Sequence, residues 1–360
     1  MRADDYFPSD YFAARSAFRA RAAAGELNAL PIAAAGPNGE ILSVDSAYFG
    51  SPRPQQLVVI TSGIHGVEGY AGSAVQQMWV SEFAEAIPSH TGVLLVHALN
   101  PYGFAHNRRV NEHNVDLNRN ALARFPGPGN PNYRLLNVCI NPASPAPVFD
   151  DFAWCAIPAL LRHGRAALAQ AIAAGQYEFP QGLFYGGVER EPSLVLFTEL
   201  LSAPRFADAR RVLHLDLHTG LGRYGEYQLL LDHAPTAPEF IRLAHRFGAH
   251  HVKSDHPHHT THYRAQGILP TLTRLVFPRA RVDAATVEFG TLSPIALLRR
   301  LRAENRLFHH GASRLNQATR IRRALLTALA PGDPQWRTTV IAGGRQIFSQ
   351  LRIEMDTCHK

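Results

Sequence analysis

Cysteine is scarce: Cys139, Cys155 and Cys358 are the only three in 360 residues, an odd number at wide spacing. That excludes a disulfide framework of the small secreted type and a thiolate metal cluster, and a reducing compartment is the expectation. Long apolar runs are also missing. None approaches the ~18 residues of a membrane span, and Met1 to Gly25 mixes Asp4, Asp5 and Asp10 with four arginines where a signal peptide would have its apolar core. The reading is a soluble, cytoplasmic protein with no membrane partner. Charge is modest at 18% against 46% hydrophobic residues, a globular composition that excludes a disordered tail protein. The net charge of +7 and pI near 9.6 would suit nucleic acid. The basic residues are scattered, however, and the densest groups (Arg299, Arg300 and Arg302; Arg320, Arg322 and Arg323) lie on helical periodicity and read as solvated faces. No nucleic-acid partner is expected. There is no internal repeat, and a chain this long can bury about three quarters of its unfolded surface without staples.

What is present is an alternation. Ser9 to Ala24 reads as an opening helix, capped by Ser9 or Asp10 and ended by Gly25. Gln56 to Ser62, Gly92 to Leu99, Arg211 to Leu217, Tyr227 to Leu231 and Ala284 to Phe289 are apolar runs of buried-strand type, and Ser73 to Ala86 is apolar at helical spacing. Strands alternating with helices predict an α/β fold with a mainly parallel sheet, whose ligands gather beyond the carboxyl ends of strands. Phe125 to Pro147, rich in Pro, Gly and Asn, reads as an irregular surface loop. A helical pattern spans Ile157 to Ala174, Gly182 to Ser193 is irregular with Ser193 as N-cap, helices fill Pro294 to Ala330, and a short unit follows Pro331. The organisation expected is a single domain, 1–360, with a long insertion at about 121–210.

Chemistry-bearing residues follow the strand-like runs. After Ser62 comes Gly-Ile-His65-Gly-Val-Glu68-Gly, after Leu217 comes His218-Thr-Gly, and Glu288 closes the last run. A His-x-x-Glu across a strand-to-helix turn lets an imidazole and a carboxylate converge on one ion while a third ligand arrives from a distant strand. The pair alone says little, because roughly one or two His-x-x-acid matches are expected by chance and His113 to Asp116 is another. A second cluster strengthens it. Asn100 to Asn120 packs Arg108, Arg109, Asp116, Asn118 and Arg119 behind a strand end, and a guanidinium fork suits carboxylates and developing oxyanions.

On these residues the chain resembles the zinc carboxypeptidases of the M14 type, in particular their bacterial DUF2817 branch, through SGIHGVEGYAGSAVQ, HALNPYGFAHNRRVNEHNVDLNRN, DLHTG and VEFGT. The resemblance runs from Asp10 to roughly Arg302. It implies a three-layer α/β sandwich of zinc-carboxypeptidase type, with a mixed, largely parallel sheet flanked by helices around one zinc ion per chain. His65, Glu68 and His218 match the metal ligands, which leaves a fourth position for water. Glu288 matches the general base, Arg109 the arginine that steadies the oxyanion, with Arg108 as runner-up. Asn118 and Arg119 match the clamp on a terminal carboxylate, Asp116 the carboxylate that orients His65, and Tyr263 a tyrosine that closes over substrate. The implied reaction is hydrolysis of an amide next to a free carboxylate, with a small peptide or an N-acyl amino acid as substrate. A metallocarboxypeptidase using zinc-activated water is expected first; a deacylase of the aspartoacylase or succinylglutamate desuccinylase type is the alternative, and a non-catalytic binding protein a remote one.

Some patterns mislead. Gly220-Leu-Gly-Arg-Tyr-Gly225 fits G-x-G-x-x-G, but a strand-like run follows it where a dinucleotide loop must open a helix. Tyr185-Gly186-Gly187 reads as a surface turn, with an approach to substrate as the alternative, Asp232 and His233 as structural, and His256, His258, His259 and His262 as a solvent-exposed loop leading into Tyr263 at the border of the site, with a second metal as the alternative. Substrate side-chain preference and oligomeric state stay open.

Overall fold

The computed structural model of the chain describes residues 1–254, 265–314 and 316–357. In chain order its elements are α1 (Tyr11–Arg21), β1 (Glu26–Ala35), β2 (Ile41–Gly50), β3 (Gln56–Ser62), α2 (Gly69–Phe83), β4 (Thr91–His97), α3 (Pro101–Ala105), α4 (Leu117–Asn120), α5 (Pro131–Ile140), α6 (Phe152–His163), α7 (Arg165–Ala173) and α8 (Pro192–Leu201), then β5 (Arg211–Gly220), β6 (Tyr227–Leu231), α9 (Pro238–Phe247), β7 (Val252–Ser254), α10 (Leu269–Val276), β8 (Arg281–Gly290), α11 (Pro294–His310), α12 (Gln317–Leu329) and α13 (Pro334–Thr357).

The eight strands form one sheet in the order β1-β2-β4-β3-β5-β8-β6-β7. Its centre, β4-β3-β5-β8, is parallel, and antiparallel pairs join β1, β2 and β6 to it. The central strands are apolar on both faces because both are covered. On one face Phe18 of α1, Met78 of α2, Phe247 of α9 and Val340 of α13 pack with Ile60, Leu215 and Val287. On the other, Phe197 of α8 and Leu272 of α10 pack with Val59, Leu94 and Val212. This is the expected three-layer α/β sandwich. The chain leaves β3 to build β4 on one side and later returns to place β5 on the other. The crevice between the carboxyl ends of β3 and β5 is therefore a topological switch point, where such sheets bind ligands.

Several expectations are corrected. The Phe125 to Pro147 stretch holds α5, started by Asn130, which accepts from Tyr133 N, and by Pro131 in the first turn; its Tyr133, Leu136 and Ile140 share a buried face. The Pro and Asn there are helix-start signals as much as loop signals. Ser193 lies inside α8, which begins at Pro192 after Glu191. The short terminal unit is a helix of 24 residues, α13. Arg302 is no solvated residue: it is buried, donating to Cys139 O at 2.8 Å and Asp151 Oδ1 at 2.6 Å. Cys139 and Cys155 are bridged, their Cα atoms 5.5 Å apart. Their wide spacing in sequence gave no sign of it, because only the contact of α5 with α6 brings them together. Such bridges persist in oxidising surroundings, so cysteine usage ceases to argue for a reducing compartment. Among the described residues no helix is long and apolar enough to cross a membrane.

Candidate metal centre

Three strand ends and one turn assemble the site. Gly63, at φ 64°, bends the chain out of β3 and sends His65 into a one-turn helix over Gly66 to Glu68. That turn lies hard against α3, since a Cβ on Gly66 would fall 1.9 Å from Gly103 C. The Arg108 and Arg109 carbonyls accept from Val67 N at 2.9 Å and Gly66 N at 3.2 Å. Asn100 shapes this partner loop, accepting from Gly103 N at 2.7 Å and donating to Arg109 O at 3.2 Å. Asn-Pro-Tyr-Gly after the strand is thus the capped start of α3.

His65, Glu68 and His218 are all buried, and one ligand atom from each lies within 4.8 Å of the others. His65 Nδ1 stands 2.9 Å from Glu68 Oε1, and His218 Nδ1 3.2 Å from Glu68 Oε2. Both Nε2 atoms are committed elsewhere: His65 Nε2 donates to Asp116 Oδ1 at 3.2 Å and His218 Nε2 to Asp216 Oδ2 at 2.6 Å. With its proton held there, a neutral ring turns a lone pair at Glu68. His65 Nδ1 accordingly has no hydrogen-bond partner despite its burial. Two bases facing one carboxylate need positive charge between them, either further protons or a cation. Two imidazole nitrogens and one carboxylate, each ring steered by a buried acid, are a donor set that fits a divalent metal of zinc type.

The electrostatics show how tightly these groups are coupled. Burial acts to raise the Glu68 pKa, but His65 and His218 outweigh it and hold the carboxyl well below its ordinary value. Burial likewise opposes charge on His218, yet Asp216 and then Glu68 raise its pKa well above the usual value. Asp116, despite burial, is held far down by Arg109 and His65. Glu288 behaves oppositely. Register places it beside His218 on the neighbouring strand, and burial, reinforced by the Glu68 charge and only partly offset by His218, pushes its carboxyl up to about 7. Its Oε2 accepts from Leu221 N at 3.2 Å.

The two adjacent arginines part company. Arg109 reaches the centre, donating to Glu68 Oε1 at 3.3 Å and Asp116 Oδ2 at 3.1 Å. Arg108 points away, paired with Glu304 at 2.8 Å and lying over the Phe308 ring. Asn118 and Arg119 follow Asp116 on α4. Asn118 Oδ1 accepts from Leu269 N at 2.9 Å, Arg119 Nη1 donates to Asn118 O at 2.7 Å, and Tyr177 Oη donates to Arg119 O at 2.6 Å. Tyr263 and the His256 to His262 cluster lie outside the described residues. His113 is a chance match: its Nδ1 pairs with Glu191 at 2.7 Å while Asp116 serves His65. The Tyr185 to Gly187 turn is buried, not a surface turn, and its Tyr185 and Gly186 carbonyls accept from Asp116 N and Asn120 Nδ2. The G-x-G-x-x-G segment leads into β6, not into a helix.

Two participants escaped sequence reasoning. Asp216 sits two residues before His218, and on a strand that spacing places both side chains on one face; the pattern was readable in Asp-Leu-His. Behind it runs a buried relay. Thr61 Oγ1 donates to Asp216 Oδ1 at 2.6 Å, so the 2.9 Å contact of Thr61 Oγ1 with His214 Nε2 must use the ring's proton, and Thr273 Oγ1 donates to His214 Nδ1 at 2.8 Å. Every donor points toward Asp216, and burial, with pKa depressed to about 4, keeps His214 neutral. Phe184, at φ 58°, sets its ring 5.6 Å from the Arg109 guanidinium; nothing in the sequence marks a phenylalanine for that backbone conformation.

The model of the DUF2817 family, described as a protein of unknown function, matches residues 7–343. No curated protein matches the chain. Among solved structures, carboxypeptidase A from Helicoverpa armigera is similar at 12% identity and a TM-score of 0.52, over 98% of this chain and 75% of its own. A metallo-carboxypeptidase from Pseudomonas aeruginosa aligns at 14% identity and 0.47, over 98% and 70%. A succinylglutamate desuccinylase from Chromobacterium violaceum aligns at 19% and 0.38, over 88% and 74%. The likeness is one of fold.

Proposed function

The chain thus belongs to the DUF2817 family, and from its buried ligand set we propose a zinc hydrolase that cleaves an amide bond beside a free carboxylate, in the first place a metallocarboxypeptidase. The observation that carries this reading is the pair of imidazoles whose Nδ1 atoms face Glu68 while Asp116 and Asp216 hold their other nitrogens. Zinc held by His65, Glu68 and His218 would supply Lewis-acid polarisation and a lowered pKa for water. Glu288, with a carboxyl that titrates near neutrality, takes a proton from the attacking water and returns it to the leaving amine. Among the described residues Arg109 is the guanidinium that reaches the ligand set, through Glu68, and it donates to the oxygen that gains charge, a role that costs about 3 kcal/mol when one such donor is removed. Asn118 and Arg119 hold the substrate's terminal carboxylate, and Tyr263 is assigned to closing the site.

The test is a zinc-loaded preparation assayed on C-terminally varied peptides beside N-acyl amino acids. We expect one zinc per chain and release of C-terminal residues. Glu288→Gln should keep the zinc and lose about 10²- to 10⁴-fold in turnover; loss of zinc in that variant would make Glu288 a ligand and overturn the assignment. Hydrolysis of the N-acyl amino acids alone would move the protein to the deacylases. Arg119→Ala should raise KM far more than it lowers kcat.

A further inference from the structure

Around α6 apolar side chains stand in water. The helix has no buried residue along its 12 positions. Phe149 just before it is 85% exposed, Trp154 84% and Leu161 83%, with Ile157 more than half exposed; on neighbouring α5, Val138 is 79% exposed and Leu135 accompanies it. Trp154, Ile157 and Leu161 follow the i, i+3, i+7 spacing of a single helical face. Val138 and Trp154 each adjoin a cysteine of the Cys139–Cys155 bridge, which ties the two helices into one surface. The platform is also anchored from behind: buried Arg302 and Arg306 of α11 donate to Asp151 at 2.6 and 2.8 Å.

At roughly 150–250 Å² for a fully exposed large side chain, these six expose on the order of 800 Å². The largest apolar patch on an ordinary monomer is about 300–600 Å², whereas a stable interface takes about 800 Å² from each partner. Aromatic anchors and a charge-free centre are the composition of an interface core. Residues 152–161 carry no charge, while Asp150 and Asp151 precede the helix and Arg162 and His163 end it. Such a helix complements itself when run antiparallel: the uncharged centres of the two copies meet over their exposed apolar side chains, and the helix dipoles oppose. We propose that the outer face of α6, flanked by α5, is a two-fold interface between two copies of this chain, with Ile157 near the axis.

The test is the molar mass of the full chain by sedimentation and light scattering at micromolar concentrations. Twice 39.7 kDa is expected. The double variant Trp154→Glu, Leu161→Glu places each new charge twice in the interface and should weaken association at least about 100-fold. Its melting temperature in dilute protein should stay unchanged, because both positions are exposed in the single chain. Ile157→Cys, in a Cys358→Ser background, should cross-link to itself on mild oxidation. A wild-type chain that stays at 39.7 kDa throughout overturns the proposal, as does a dimer that survives the double variant or an Ile157→Cys dimer that does not cross-link. A single chain that sediments with phosphatidylcholine vesicles through Trp154 would give the surface to lipid and overturn it equally.

Discussion

The strand ends of the central sheet and the outer face of α6 both break the ordinary rule of burial, in opposite senses. At the sheet, His65, Glu68, Asp116, His214, Asp216 and His218 are polar and nearly inaccessible; at α6, Trp154, Phe149 and Leu161 are apolar and mostly exposed. A globular chain has no folding reason for either. Buried charge costs free energy unless it is paired, and exposed apolar area forfeits the gain of burial. The two exceptions point to different proposals: the first is a donor set that fits a cation, and the second is the surface proposed to be covered by a second copy.

The sharpest break of this contrast is removal of a ligand. His65→Ala or His218→Ala should lower metal affinity by more than about 100-fold and abolish turnover, while Trp154→Ala leaves both untouched; competition with a chelator measures the first and assay the second. Full metal occupancy in His65→Ala would place the ion elsewhere. Next come the supporting acids. Asp216→Asn and Asp116→Asn should each weaken metal binding about 10- to 100-fold, and equal affinity in both variants and the wild type would deny these carboxylates any part in ligand orientation.

Acid should separate the regions as well. His214 and His97 are buried, with pKa values depressed by burial to about 4 and about 3. The unfolded chain takes up these protons below about 6.5, whereas the native chain resists them until about 4 and about 3. Protons therefore favour the unfolded state across that window, and stability should fall as pH drops from about 6.5 toward 4, on the order of 1 kcal/mol per pH unit for each ring. Urea melts at stepped pH, compared with His214→Gln, test this; a flat profile in the wild type would contradict it. The smallest effect distinguishes folding from association. In dilute protein Trp154→Ser should shift stability by no more than about 0.5 kcal/mol, while Leu215→Ala in the sheet should cost about 2–5 kcal/mol.

Much of this was legible in one dimension. Gln56–Ser62 and Tyr227–Leu231 are strands with the limits their apolar runs suggested, because a strand buried on both faces needs uninterrupted hydrophobicity. Asp10 caps α1, accepting from Ala13 N at 2.9 Å. The three candidate ligands and Asp116 were named from motifs, and the fold brings their side chains together. The helix α5 was missed since Pro and Asn serve loops and helix starts alike. Arg109 was placed ahead of Arg108 by its motif match alone, since neighbours of one type differ only in which way the backbone turns them.

The chain by itself determined the alternation of strand and helix, the residues that follow each strand, and the chemistry those residues offer, because periodicity and side-chain type are local properties. Only the tertiary structure decided that β5 lies beside β3, which brings His218 to Glu68 across 150 residues of sequence. It also decided that Cys139 meets Cys155, and that the apolar face of α6 is left outside the core. Each of these depends on which surfaces pack together, and packing partners are chosen by the whole fold.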